Sequence, residues 1–270
     1  MIRGTIARAL AEDIGAGDIT TDACVPEDLV VTGAFFARDE IVVAGMDVLP
    51  AIYELRGGVD SLELTAQDGD RAFPGTRLAV VRGKARTLLT CERVSLNFLQ
   101  RLSGVATLAA KYVEAVRGTK CKILDTRKTT PGLRMLEKQA AAAGGVVNHR
   151  MGLYDAVLIK NNHIAAAGGV SAAFERVKHL SMPVEVEVRT RAELDEALSC
   201  GAKRLLLDNL TPGEAADWIR YIDGRAQVEL SGGITLETVR AYAEAGADYI
   251  SCGAITHSAG AVDLNFRLEP

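Results

Sequence analysis

From about residue 120 onward, short apolar runs alternate with helical segments at a regular spacing. Capping boxes at Thr190–Glu193 and Thr211–Glu214 begin two of the helices, and Thr235 is predicted to begin a third. Strands that alternate with helices indicate βαβ units, and several units without a Rossmann glycine fingerprint favour a (β/α) barrel, standard or incomplete. The predicted strands are KILDT (122–126), AVLIK (156–160), VEVEV (184–188), RLLLD (204–208), QVELS (227–231) and DYISC (248–252).

The first 110 residues have a different pattern. Strand-like runs broken by turn residues occupy 30–45 and 61–83, and an amphipathic helix is predicted over 86–104. The fold class is therefore α/β, with an α+β domain over residues 1–110 and a barrel domain over 111–258. The last residues, 259–270, are too few for a domain and are expected to pack on the N-terminal part.

Composition limits the classes of function. Hydrophobic residues make up 48% of the 270 residues, yet no window reaches roughly 18 uninterrupted apolar residues. The N-terminus turns acidic before a signal-peptide core forms, so we expect a cytoplasmic protein that does not bind membranes. Five widely spaced cysteines without a CxxC pair argue against a disulfide framework and a structural zinc site. The net charge of −4 argues against nucleic-acid binding.

Charged side chains follow several of the predicted strands. Because barrel active sites lie at the C-terminal ends of the strands, these side chains are expected to meet at one mouth. Clustered cations repel one another unless they bind a multiply charged anion, so the mouth is predicted to bind one. The cations are Arg127, Lys128, His149, Arg150 and Lys160, and the carboxylates are Glu187 and Asp208.

Two glycine-containing turns, Ser231–Gly233 and Cys252–Ala254, lead into helices and are candidates to bind a phosphate through main-chain N–H groups. Glu187 and Asp208 are candidate ligands of Mg²⁺ or of ribose hydroxyls. The sequence shows no nucleophile elbow, no metal triad and no close pair of acid and base carboxylates. A reaction here would depend on electrostatics and on positioning.

Each feature also has a plainer explanation. Arg127 and Lys128 could form a solvated turn, and SGGIT could be only a tight strand-to-helix turn. VEVEV also fits an edge strand with one solvent-exposed face. A single histidine such as His149 is more often a hydrogen-bonded packing residue than a catalyst.

Eight segments together resemble the quinolinate phosphoribosyltransferase family, over nearly the whole chain and in the family's order. The segments are EDIGAGDITTDA (12–23), ERVSLNFLQRLSGVAT (92–107), DTRKTTPGLRMLEK (125–138), GGVVNHRMGLYDAVLIKNNHI (144–164), EVEV (185–188), LLLDN (205–209), ELSGGIT (229–235) and GAITHS (253–258). The resemblance implies that quinolinate and phosphoribosyl pyrophosphate are converted to nicotinate mononucleotide, pyrophosphate and CO₂ in NAD biosynthesis. It also implies Mg²⁺ as cofactor and a homodimer of chains with an N-terminal sandwich domain and an open barrel.

The resemblance also assigns roles to residues. Quinolinate would be bound by Arg127, Lys128, His149 and Arg150 with Thr126 nearby, and Arg93 would reach into the site of the partner subunit. Lys128 and Lys160 would flank the reacting centre, and Glu187 and Asp208 would complete the catalytic set and hold the metal, directly or through the substrate. The phosphoribosyl side would be lined by Lys160, Glu187, Asp208, Ser231, Gly232, Gly233, Cys252, Gly253 and Ala254.

Two departures from the family pattern occur. Asn161 stands where the family commonly has aspartate, and the loop over 139–147 has one glycine fewer. Three rivals remain: a phosphoribosyltransferase-like paralogue from molybdate-transport operons, a non-catalytic anion-binding protein on the same scaffold, and an aldolase-like barrel with Lys160 or Lys128 as a Schiff-base amine. Retention of Lys160 favours the quinolinate enzyme over the paralogue.

Overall fold

The structure, a computed structural model, describes residues 2–269, which divide into two compact units. The first unit contains the residues up to Ala110, Thr129–Gly145 and the residues from Ile255 onward. The second contains Lys111–Lys128 and Val146–Ala254. The chain therefore passes from one unit to the other four times.

A four-stranded antiparallel sheet, ordered β12-β1-β5-β3, is the main sheet of the first unit. Phe35 of β1 and Phe266 of β12 stack with ring centroids 4.8 Å apart, which joins the C-terminal strand to the core. The elements that begin in this unit are α1 (Ile2–Ile14), α2 (Ile19–Cys24), β1 (Val30–Ala37), β2 (Ile41–Val42), α3 (Val48–Leu55), β3 (Ser61–Leu64), β4 (Arg71–Ala72), β5 (Arg77–Lys84), α4 (Ala85–Ala115), α5 (Arg134–Ala143) and β12 (Leu264–Glu269).

A six-stranded parallel sheet, ordered β6-β11-β10-β9-β8-β7, forms the second unit. All six strands predicted from the sequence are present. The elements are β6 (Lys122–Leu124), β7 (Val157–Ile159), α6 (Asn161–Ala167), α7 (Val170–Val177), β8 (Val184–Val188), α8 (Arg191–Ser199), β9 (Arg204–Asp208), α9 (Pro212–Ile222), β10 (Gln227–Ser231), α10 (Val239–Glu244), β11 (Tyr249–Ser251) and α11 (Ala254–His257), which ends in the first unit.

The barrel is incomplete, as the fold class predicted. β7 to β11 pair with their chain neighbours and β11 pairs with β6, but β6 and β7 lie at the two edges of the sheet among residues 2–269. Beside β6, one bridge joins Leu124 to Val147. The segment that leads to His149 therefore lies along the free edge of β6.

Two local predictions are confirmed. The capping boxes are formed at α8 and α9, where Thr190 and Thr211 accept main-chain N–H groups and Glu193 and Glu214 accept in return. Each box satisfies main-chain donors that the first turn of a helix otherwise leaves unpaired.

Two local expectations and one alternative explanation are wrong. Thr235 does not begin a helix: its N–H donates to Thr238 Oγ1 in a turn, and α10 begins at Val239. β8 is no edge strand, because it lies between β7 and β9 and most of it is buried. Gly104 does not end the predicted helix, since α4 continues to Ala115, and a Cβ at Gly104 would overlap the Gly260 carbonyl. That glycine serves close packing.

No helix within 2–269 combines the length and the apolar character needed to cross a membrane.

Candidate active site

The C-terminal ends of the six parallel strands collect nearly all of the predicted site residues within the second unit. Sheet register places Asp208 of β9 directly beside Ser231 of β10, and Ser251 of β11 beside Leu124 of β6. Residues 125–128 follow β6, and Lys160 follows β7. Because the strands are parallel, all these positions lie at the same edge.

Buried Asp125 joins the loop after β6 to the segment that contains His149. Its carboxylate accepts the Asn148 side chain at 2.6 Å and the main-chain N–H of His149 at 2.8 Å. Thr126 Oγ1 accepts the main-chain N–H of Lys128 at 3.0 Å, which shapes the turn. The DTRK and NHR motifs, more than twenty residues apart in the chain, are thereby held together.

Arg127 and Arg150 lie close enough for their charges to interact. Burial lowers the pKa of Arg150, and the positive charge of Arg127 lowers it further. Arg150 Nη1 donates to the carbonyl of Ala156 at 3.3 Å, which restrains the orientation of the side chain. Two guanidinium groups with interacting charges repel one another, and a dianion bound by both would relieve that repulsion.

Both lysines at this edge are exposed. Lys128 and Lys160 each extend from a loop or strand end into solvent. The main-chain N–H of Lys160 donates to His163 Nδ1 at 2.9 Å, so His163 caps α6. The cap fixes the main chain of Lys160 while its side chain remains solvent-accessible.

Glu187 and Asp208 converge on a single cation, Arg189. One atom, Arg189 Nη2, lies 3.1 Å from Glu187 Oε1 and 2.8 Å from Asp208 Oδ2. Glu187 is buried, whereas 47% of the Arg189 side chain is exposed. Two carboxylate oxygens that meet at one positive atom form a donor set that suits Mg²⁺, and an exposed arginine can turn away when another cation arrives.

His149 contacts a buried charged cluster that we call the glutamate cluster: His149, Glu185, Glu229 and Arg204. His149 Nε2 lies 3.2 Å from Glu185 and 3.5 Å from Glu229. Arg204 contacts the same two carboxylates at 2.9 and 2.8 Å. Glu229 is fully buried, and the side chain of Glu185 is 5% exposed. The two glutamates and His149 could chelate a metal, but Arg204 already forms an ion pair with each carboxylate.

The glutamate cluster sets the protonation of His149. Burial disfavours the charged ring, but hydrogen bonds and charges from Glu185 and Glu229 outweigh it and raise the pKa of His149 to about 9. On the other side of the ring, the main-chain N–H of Arg150 donates to Nδ1 at 2.7 Å and opposes a proton there. The carboxylates therefore set the direction of the shift.

The two glycine-containing turns differ in what they expose. Gly232 has a φ of +104°, and a Cβ there would overlap the side chain of Asn209, so the turn requires glycine. The side chain of Cys252 is only 2% exposed, and burial raises the pKa of its thiol to about 12. Cys252 is thus a neutral packing residue whose main chain alone can contact a ligand, next to Gly253 and to Ala254 at the start of α11.

Comparison with known proteins gives consistent matches. Models of the N-terminal and C-terminal domains of quinolinate phosphoribosyl transferase match residues 18–103 and 105–267. The chain belongs to this family. A "Nicotinate-nucleotide pyrophosphorylase [carboxylating]" of Mycobacterium leprae is 44% identical over 98% of this chain and 96% of its own. Crystal structures of nicotinate-nucleotide pyrophosphorylases superpose with TM-scores of 0.93 (Ehrlichia chaffeensis, 37% identity, 98% of both chains) and 0.94 (Francisella tularensis, 37% identity, 99% and 96%).

Several charged residues lie next to the predicted site residues of this family member but were not predicted from the sequence. Arg189, Arg204, Glu185 and Glu229 were not among the predicted site residues. A signal was present for the two glutamates: an acidic residue inside an otherwise apolar parallel strand is rarely buried unless it is paired. No local pattern identifies the arginines that pair with them, because the partners come from neighbouring strands.

Arg93, the one predicted site residue in the first unit, is exposed on α4. Its contribution to a partner's site stays a prediction. Asn161, the departure from the family pattern, begins α6, and its side chain accepts the main-chain N–H of Asn162 at 2.9 Å. It is neutral beside Lys160 and cannot offset that charge as an aspartate would.

Proposed function

We propose that this protein transfers the phosphoribosyl group of phosphoribosyl pyrophosphate to quinolinate and releases pyrophosphate and CO₂, with nicotinate mononucleotide as product. The observation that carries the proposal is the interacting pair Arg127 and Arg150 at the same strand ends as the convergent carboxylates Glu187 and Asp208. The pair suits a dicarboxylate, and the carboxylates suit a ribose or its metal. The names of relatives that match nearly the full chain describe this same chemistry.

Binding of quinolinate would fall to the arginines. Arg127 and Arg150 each offer a planar fork of N–H donors that matches a carboxylate, and quinolinate carries two carboxylates on adjacent ring carbons. Asp125 fixes the main chain of His149, one residue before Arg150. Lys128 and Lys160 would extend their ammonium groups toward the reacting centre.

Departure of pyrophosphate leaves positive charge on the ribose carbon. Glu187 and Asp208 would stabilise that charge and would also hold Mg²⁺ when it is bound; the metal neutralises charge on the leaving pyrophosphate. The pyridine nitrogen then attacks the ribose carbon, and the ring becomes a pyridinium. Its positive charge stabilises the electron pair left on the adjacent ring carbon when the carboxylate departs as CO₂, and that carbon takes up a proton to give nicotinate mononucleotide. No side chain has to remove a proton, so the chain acts by binding, orientation and charge.

We also propose that the working unit is a cytoplasmic homodimer in which Arg93 completes the partner's site. The support for this arrangement is the resemblance of the segment ERVSLNFLQRLSGVAT (92–107), which contains Arg93, to the quinolinate phosphoribosyltransferase family. Mixing Arg93→Ala with Lys160→Ala, each inactive alone, should restore part of the activity, because some heterodimers would contain one intact site. Lack of recovery after verified subunit exchange would refute the shared site.

A product assay tests the proposed function directly. Purified protein with quinolinate, phosphoribosyl pyrophosphate and Mg²⁺ should release equal amounts of CO₂ and pyrophosphate. A non-catalytic anion-binding protein would bind quinolinate and release neither. Borohydride trapping of a carbonyl substrate at Lys160 or Lys128 would instead support the aldolase-like alternative.

A further inference from the structure

Arg101 of α4 lies at the centre of a network within the first unit. Its guanidinium donates to Glu137 Oε1 from Nη2 at 2.7 Å and from Nε at 3.1 Å. It also donates to the main-chain carbonyls of Thr256 and Ala259. One side chain thus joins a helix, a second helix and the segment that follows α11.

Glu137 is fully buried and holds Thr130 at two points. Glu137 Oε2 accepts the main-chain N–H of Thr130 at 2.9 Å, and Oε1 accepts its hydroxyl at 2.6 Å. Arg101 Nη2 lies 3.4 Å from the same hydroxyl. The buried carboxylate is saturated with donors, which is the condition under which a buried charge stabilises a structure.

The two segments that this network holds continue directly into predicted substrate loops. Thr130 follows Lys128 by two residues, and Thr256 follows Ala254 by two residues. The first loop carries Arg127 and Lys128, and the second carries the main chain of 252–254. Displacement of either Thr130 or Thr256 would therefore move ligand-binding groups.

Other contacts also reach the segment around Thr130 within this unit. A cavity of about 350 Å³ borders the Pro131–Gly132 turn and also Arg101 itself. The other contacts include a hydrogen bond from Arg134 to Thr129 at 3.0 Å and a weak, exposed one from Thr5 to Gly132 at 3.4 Å. The Arg101–Glu137 network therefore holds Thr130 next to a turn that borders a cavity.

We propose that Arg101 and Glu137 are positioning residues that hold both substrate loops in their binding conformation without contacting substrate. The proposal rests on the proposed function. Since one arginine fixes both loops, its loss should weaken the binding of quinolinate and of pyrophosphate together. A residue that binds only one substrate would affect that substrate alone.

The same helix provides a matched control. Arg86 of α4 also donates to two main-chain carbonyls, of Val25 and Asp22, and pairs with the Asp22 carboxylate. Its side chain is 31% exposed and that of Arg101 is 25% exposed. Neither partner of Arg86 belongs to a substrate loop. Arg86→Met therefore removes a similar set of bonds without releasing either loop.

The test measures binding of quinolinate alone and of pyrophosphate with Mg²⁺ by calorimetry. Arg101→Met should raise both dissociation constants by about 10- to 100-fold, the range for supporting residues that orient a binding group. Arg86→Met should leave both near the wild-type values. In hydrogen exchange, peptides over 126–133 and 253–260 should exchange faster in Arg101→Met only. Arg101→Lys, which keeps the charge but not the fork, should fall between wild type and Arg101→Met.

If Arg101→Met does not fold, the nearly isosteric Glu137→Gln is used instead, and we expect the same rise in the dissociation constants of quinolinate and of pyrophosphate. Wild-type binding of both ligands by a folded variant, with only a lower melting temperature, would overturn the positioning role. If the wild-type protein forms no CO₂ or pyrophosphate, the proposed function fails instead. The two failures are therefore distinguishable in one set of measurements.

Discussion

Removal of Arg204 tests how strongly the glutamate cluster depends on its cation. In Arg204→Met, the carboxylates of Glu185 and Glu229 lose the guanidinium that lies 2.9 and 2.8 Å away, and only His149 remains to offset them. Methionine keeps much of the aliphatic packing under the Tyr249 ring, which lies 4.6 Å from Arg204 Cζ. The substitution therefore removes charge more than volume.

The expected loss of stability is large. Breaking a buried ion pair costs about 3–5 kcal/mol, because the remaining charge stays buried. Solvent reaches 28% of the Arg204 side chain, so the cost falls to about 2–4 kcal/mol. Arg189→Met is the comparison variant: Arg189 also contacts two carboxylates, but 47% of its side chain is exposed. We expect a smaller loss of about 1–2 kcal/mol, because buried Glu187 still loses its cation.

Urea unfolding at pH 7.5 and matched protein concentration measures both losses, with unchanged slope m as the check. The difference in unfolding free energy between Arg204→Met and Arg189→Met should become smaller toward pH 5. Without Arg204, the pKa of Glu185, which burial already raises, rises further, and the pKa of Glu229 rises from its lowered position. A carboxyl group with a raised folded pKa destabilises the fold above its unfolded pKa, and it destabilises less as it protonates. Equal losses for the two variants at pH 7.5, or a difference independent of pH, would refute the reasoning.

Three further predictions concern single residues. The folded pKa of His149 is raised from 6.5 to about 9, so its stabilisation is fully present below pH 6.5 and is lost as the pH rises to 9. In urea unfolding over that range, wild type should lose up to about 3 kcal/mol more unfolding free energy than His149→Gln. Gly232→Ala should destabilise by about 1–3 kcal/mol and raise the KM for phosphoribosyl pyrophosphate, whereas Gly213→Ala, which has open space and no positive φ, should be neutral. Arg150→Met should raise the KM for quinolinate by roughly 100-fold, and an unchanged KM would exclude direct binding.

The elements that sequence predicts well depend on near neighbours. The Thr190 and Thr211 caps are formed because donor and acceptor lie three residues apart, and the six strands are short apolar runs between such helices. Thr235 was misassigned because residues 236–238 first form a turn, in which the Thr238 hydroxyl accepts the Thr235 N–H, and the helix begins only at Val239.

The parts that sequence could not predict depend on distant partners. Nothing near Arg204 in the chain indicates that it lies between Glu185 and Glu229, which are 19 and 25 residues away. Arg101 has the same property, since its partners are 29 to 158 residues away. Sequence patterns identify strand ends and ligand-binding motifs, whereas the charges that hold those motifs become visible only when strands and loops are brought together.

The pairing of β12 with β1 has a consequence for synthesis on the ribosome. β1 is complete by residue 37, but its neighbour on one side is the segment 264–269, in which Phe266 packs against Phe35. Until that segment has left the exit tunnel, one edge of β1 has no partner and exposes main-chain N–H and C=O groups to other nascent chains. A contact across more than 220 residues also forms slowly. This edge of β1 therefore stays open in the nascent chain until residues 264–269 have emerged and paired with it.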